Sequence, residues 1–156
     1  SAERAKHLSV LHAADHLERL AGALEERGPA GAARSMSELG EMRDRVVGML
    51  EEVGEWFGGE TAGAEGAVRA EALSREIAVA RRESRARTLE ETADGRVTTE
   101  RAEAALEGTR WMDRLGYHVW RAAVHLAEGG EAARAQPLSE GEDEGKSGVL
   151  KDGGGA

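Results

Sequence analysis

A chain of 156 residues with no cysteine and a net charge of −9 excludes disulfides and thiolate metal sites. It also excludes the broad basic face that non-specific binding to nucleic acid or anionic lipid requires. The length suits one domain with a single core, and with 40% hydrophobic and 33% charged residues, alanine being the commonest apolar one, that core must be built from close-packed helices.

Three Gly- or Pro-marked breaks, "RGPAG" at 27–31, "GGETAG" at 58–63 and "DGRV" at 94–97, divide the first 129 residues. The first predicted helix, about 3–27, places Val10, Ala13, Leu17, Leu20 and Leu24 on one face. The second, about 32–57, has Leu39, Val46, Leu50, Val53 and Phe57 at three- and four-residue spacing. The third, about 62–94, has a weaker stripe of Ala70, Leu73, Ile77, Ala80 and Ser84. The fourth, about 98–128, follows Thr98 or Thr99 as N-cap and aligns Met112, Leu115, Val119, Ala122 and Leu126. Connections this short make successive helices antiparallel, so the expected fold is all-α: an up-down four-helix bundle over 1–129. Residues 130–156, acidic and Gly-rich with one Pro and a single apolar pair at Val149 and Leu150, are expected to be a disordered tail. No stretch approaches the ~18 consecutive apolar residues of a spanning helix, and the opening "SAERAKHL" lacks a signal-peptide pattern. The expectation is a soluble chain with no direct membrane insertion, able to be the soluble part of something larger.

The segment "RLGYHVWRAAVHL" (114–126) concentrates chemistry. Only five residues of the chain are aromatic, yet Tyr117 and Trp120 lie here and Trp111 just upstream. On a helical wheel Arg110, Arg114, Arg121 and Glu128 mark the solvent side, Trp111, His118 and His125 one flank of the core, and Trp120 the other. Tyr117 and Val124 lie towards the arginines. That is more apolar surface than one bundle face uses. Either a second contact covers it, a homodimer partner or another domain, or the rings lean back over the bundle rim.

His118 and His125 are two turns, about 10 Å, apart and cannot share one ion. His12 and His16 are one turn apart, a spacing that can chelate zinc, with Asp15 adjacent and Glu18 close by. The wheel puts His12 and Asp15 on the polar side, where the other reading is solvated or rim histidines. No Glu-x-x-His tetrapeptide of a di-iron bundle occurs. The basic stretch "ARRESRARTLEE", with Arg81, Arg82, Arg85 and Arg87, could meet phosphate or lipid head groups. Its i,i+4 pairs, Glu83 with Arg87 and Arg87 with Glu91, favour a solvated face. There is no G-x-S-x-G, P-loop or dinucleotide fingerprint, so no enzyme is expected.

The segments "HAADHLERLAGALEE" (12–26) and "WMDRLGYHVWRAAVHLAE" (111–128) resemble the helices of PhoU-type bundles. The surrounding 85–126 is similar to the soluble C-terminal portion of bacterial sodium/phosphate cotransporter family proteins. The resemblance spans about residues 7–128. It implies a PhoU-like domain on the cytoplasmic side of the membrane, tethered through a transmembrane transporter domain of the same protein. It further implies iron or zinc clusters held by acid pairs four residues apart. Here the chain departs from the pattern: Glu18 matches a first acid but Gly22 stands at the second position, and Asp113 matches a first acid but Tyr117 stands at the second. Glu51 and Glu55 form only a single pair. The expectation is therefore a non-catalytic regulatory domain that docks by Tyr117, Trp120, Val124 and Trp111 and has no resident cofactor. The alternatives are an iron- or zinc-binding bundle using His12, Asp15, His16 and Glu18, and a stand-alone structural protein.

Overall fold

A computed structural model describes residues 1–59 and 63–134. Among them the chain is all helical: α1 (Ala2–Leu24), α2 (Arg27–Ser35), a 3-10 turn (Ser37–Leu39), α3 (Gly40–Gly58), α4 (Ala64–Ala93) and α5 (Thr99–Arg134).

The expected second helix is thus divided, and "RGPAG" is no break. A helix continued from α1 would drive the Pro29 ring into the carbonyl of Glu25, so α1 stops at Leu24 and Glu26 turns to extended backbone. Pro29 then falls in the first turn of α2, where a missing N–H costs nothing. The end of α2 is closed by Arg43, whose Nη1 donates to the carbonyls of Ala33 (3.3 Å) and Arg34 (3.1 Å).

The turn between α4 and α5 follows its sequence closely. Gly95 takes φ +72°, and the N–H groups of Gly95 and Arg96 return to the carbonyls of Thr92 (3.0 Å) and Glu91 (2.8 Å). That is the double hydrogen bond of a Schellman closure. Thr98 is the N-cap, its Oγ1 accepting from the Arg101 N–H at 3.3 Å. Beyond Glu128, α5 continues through Gly129 and Gly130 to Arg134, so the helix overruns the expected start of the tail. The remaining tail, 135–156, with Val149 and Leu150, lies outside the described residues.

Helix α5 is the hub. Antiparallel to it, α1 brings Ala23 to Trp111 and Ser9 to Gly129. On another side α4, also antiparallel, brings Ile77 to Gly116, while α3 runs in the same direction as α5, with Leu39 at Gly108 and Met49 at Gly116. The missing side chains at Gly108 and Gly116 let these helices close in: a Cβ at Gly116 would lie 3.0 Å from Ile77 Cδ1. Leu39, Met49, Ile77, Met112 and Leu115 form the most deeply buried part of the core. Because α1 packs chiefly on α5, its Leu8, Val10, Leu11, Leu17 and Leu24 stay exposed. Among the described residues no helix is long and apolar enough to cross a membrane.

Candidate docking face and histidine cluster on α5

Trp111 is buried, and its indole N–H donates at 2.7 Å to the Ala23 carbonyl, which also accepts from the Glu26 N–H at 3.2 Å in the turn that closes α1. It therefore clamps the end of α1 to α5 on the core flank where it was expected, and its burial sets it apart from the docking residues it was grouped with. Tyr117 is 45% exposed. Its ring meets Trp120 edge-on at 5.9 Å and His16 at 5.9 Å. Trp120 packs against the core, with the Arg121 guanidinium 5.4 Å from its ring centre and its own Nε1 buried without a hydrogen-bond partner among the described residues. Val124 is half-buried. Tyr117 and Trp120 line a groove of about 1120 Å³ between α4 and α5, whose walls carry arginines, among them Arg75, Arg81 and Arg114, and an equal number of carboxylates, among them Glu103 and Glu107. Arg114 is paired with Glu26 at 2.9 Å and Arg81 with Asp113. Aromatic surface framed by guanidinium groups is the composition of interface hot spots.

On the α1 flank the structure gathers four of the chain's five histidines. His16 Nδ1 lies 3.0 Å from His118 Nδ1, and the His16 ring stacks on His125 at 5.7 Å while His12 stacks on His125 at 5.1 Å. His16 thus sits between His118 and His125, which their own helix keeps two turns apart. Arg121 can only donate, so its 3.2 Å contact to His125 Nε2 makes that nitrogen an acceptor and puts the proton on Nδ1, which donates to Glu128 at 3.1 Å. Burial, then the positive potential of His118, His125 and Arg121, pushes the His16 pKa down against the opposing pull of Asp15. Burial followed by Arg19 and Arg114 lowers that of His118, again against Asp15. These shifts favour the neutral form of the His16 and His118 pair.

The sequence-proposed metal set does not converge. Asp15 turns to Arg19 at 2.9 Å, Glu18 is exposed, and His12 and His16 face α5. Among the described residues no three histidine, aspartate or glutamate side chains are grouped to hold an ion. The histidine cluster itself was missed by sequence reading. A signal existed: the wheel places His118 and His125 together with Trp111, and Trp111 marks the flank that α1 occupies. No protein-family model, characterised protein or solved structure matches the chain.

Proposed function

We propose that the chain is a non-catalytic regulatory or scaffolding module that acts by docking one face of α5. On this reading its partner is the membrane-spanning portion of a sodium-dependent phosphate transporter, with the module on the cytoplasmic side in a PhoU-like bundle. The observation that carries the docking face is Tyr117, an exposed aromatic edge-on to Trp120 in a groove walled by arginines and carboxylates. The choice of partner is supported by the sequence resemblance of "WMDRLGYHVWRAAVHLAE" alone. Docking that buries the Tyr117 edge favours whichever transporter state presents the matching surface, and regulation then follows from that difference in affinity.

The test is the affinity of the chain for the transporter portion held in nanodiscs. Replacing a central aromatic anchor costs about 2 kcal/mol or more, so Tyr117→Ser should weaken binding by roughly tenfold or more while circular dichroism is unchanged. Equal affinity of the variant and the parent chain contradicts the reading. Light scattering addresses the other occupant, a second copy of the chain: a dimer dissociated by Tyr117→Ser would move the same face to self-association. With Asp15 paired to Arg19 and Glu18 exposed, the metal alternative has less support, and stoichiometric iron or zinc in protein purified without chelator would restore it.

A further inference from the structure

A second groove, of about 560 Å³, lies between α4 and α5. Four guanidinium groups line it, Arg81, Arg82 and Arg85 from α4 and Arg110 from α5, against one carboxylate, Asp113. The sequence spacing produces this. Positions 81, 82 and 85 share one side of α4, and 110 and 113, three apart on α5, share the side that faces it. The solvated-face reading needed Glu83 and Glu91 to neutralise Arg87, but no such pair is among the ion pairs of the described residues. Instead, Arg81 reaches across to Asp113, which takes up the groove's only carboxylate among the described residues. Arg82 and Arg85 have no carboxylate partner among the described residues, and Arg110 spends only its Nε on the Leu106 carbonyl, at 3.3 Å. Arg82, Arg85 and Arg110 are exposed, so their guanidinium groups can donate to an anion entering from solvent.

We propose that this groove binds a phosphate-bearing anion. The planar forks of Arg82, Arg85 and Arg110 donate to its oxygens in the paired geometry that guanidinium and phosphate share, and Asp113 holds Arg81 as the fourth donor. The volume lies within the ~300–1,000 Å³ of small-molecule sites, and Ala78 and Leu106 give it an apolar floor. The site shares Arg81, Arg110 and Asp113 with the docking groove, yet it stands whether or not a protein docks there.

Isothermal titration with inorganic pyrophosphate at constant ionic strength tests it, and flotation with phosphatidylcholine vesicles with and without a phosphoinositide separates a free anion from a lipid headgroup. Pyrophosphate should bind at a single site. Because a charge-assisted hydrogen bond contributes enough to shift affinity about tenfold, the Arg82→Ala/Arg85→Ala pair and Arg110→Ala should each weaken binding by about that factor or more. Arg87→Ala, on the same helix but outside the groove, should leave it unchanged, and Asp113→Asn should tighten it. Phosphoinositide-dependent flotation without pyrophosphate binding, lost in the same variants, retains the site and assigns it to a headgroup. Failure of both probes to bind, or an Arg87→Ala loss equal to that of the groove variants, overturns the proposal.

Discussion

His16 and His118 meet across the α1–α5 interface with their Nδ1 atoms 3.0 Å apart, so one nitrogen must donate and the other accept. Two imidazolium rings cannot keep this contact, because both Nδ1 atoms would then carry hydrogen.

The pair makes stability depend on pH. Both folded-state pKa values lie below the ordinary imidazole value of 6.5, so the unfolded chain binds more protons at mildly acidic pH and stability rises with pH. The contribution is complete above 6.5 and is lost as pH falls through the lowered folded values. Urea unfolding followed from about pH 8 to about pH 5 should show this acid loss, and His118→Asn should flatten it. An unchanged profile in that variant would remove the pair from the account.

Two tryptophans nine residues apart should respond unequally to the same substitution. Trp111→Phe removes one of the two donors to the Ala23 carbonyl, which keeps the Glu26 N–H at 3.2 Å, so it loses a hydrogen bond of about 0.5–1.5 kcal/mol in addition to packing. Trp120 Nε1 has no partner to lose among the described residues, so Trp120→Phe forfeits only packing and should cost less than about 1 kcal/mol. Chemical denaturation of the two variants decides; equal losses would contradict the clamp assigned to Trp111.

Gly66 faces the Trp56 ring so closely that an added Cβ would lie 1.8 Å from Cε2. In the first turn of α4 alanine gains less than the ~1 kcal/mol of helix propensity it has at an interior position, and here it must displace an indole. Overpacking of this kind costs about 1–3 kcal/mol, so Gly66→Ala should be neutral to destabilising rather than stabilising. A higher melting temperature for Gly66→Ala would show that the ring is not seated there.

Gly95 carries the left-handed turn between α4 and α5. Gly95→Ala should destabilise by about 1–2 kcal/mol, the cost of a Cβ in that conformation, and Gly95→Asn by less. Thermal unfolding of the pair checks the order.

Local chemistry made part of this fold legible. Thr98, Gly95 and the run through Leu115 and Val119 locate the end of α4 and the start of α5 because caps and periodicity act within a few residues. Pro29 misled because a proline that stops one helix also starts the next, and only the backbone at Glu26 distinguishes a linker from a two-residue corner. The overrun of α5 past Gly129 shows tertiary contact overriding propensity, since Ser9 and Val10 of α1 pack against that glycine. The histidine cluster was illegible for another reason. A wheel places His12 and His16 on their own helix, but the register of α1 against α5, set by Trp111 on Ala23, decides which rings meet. The arginine groove likewise needs Arg110 brought opposite Arg82 and Arg85, a relationship between residues some 25 positions apart.

Site-specific cross-linking measures the docking face most directly. With a photoreactive phenylalanine analogue in place of Tyr117, and separately in place of the exposed Val47 on α3, the chain is irradiated in the presence of the transporter portion. The account predicts a cross-linked product from position 117 and none from position 47. A product from position 47 alone, or none from position 117 under conditions where the two proteins co-migrate, would contradict it.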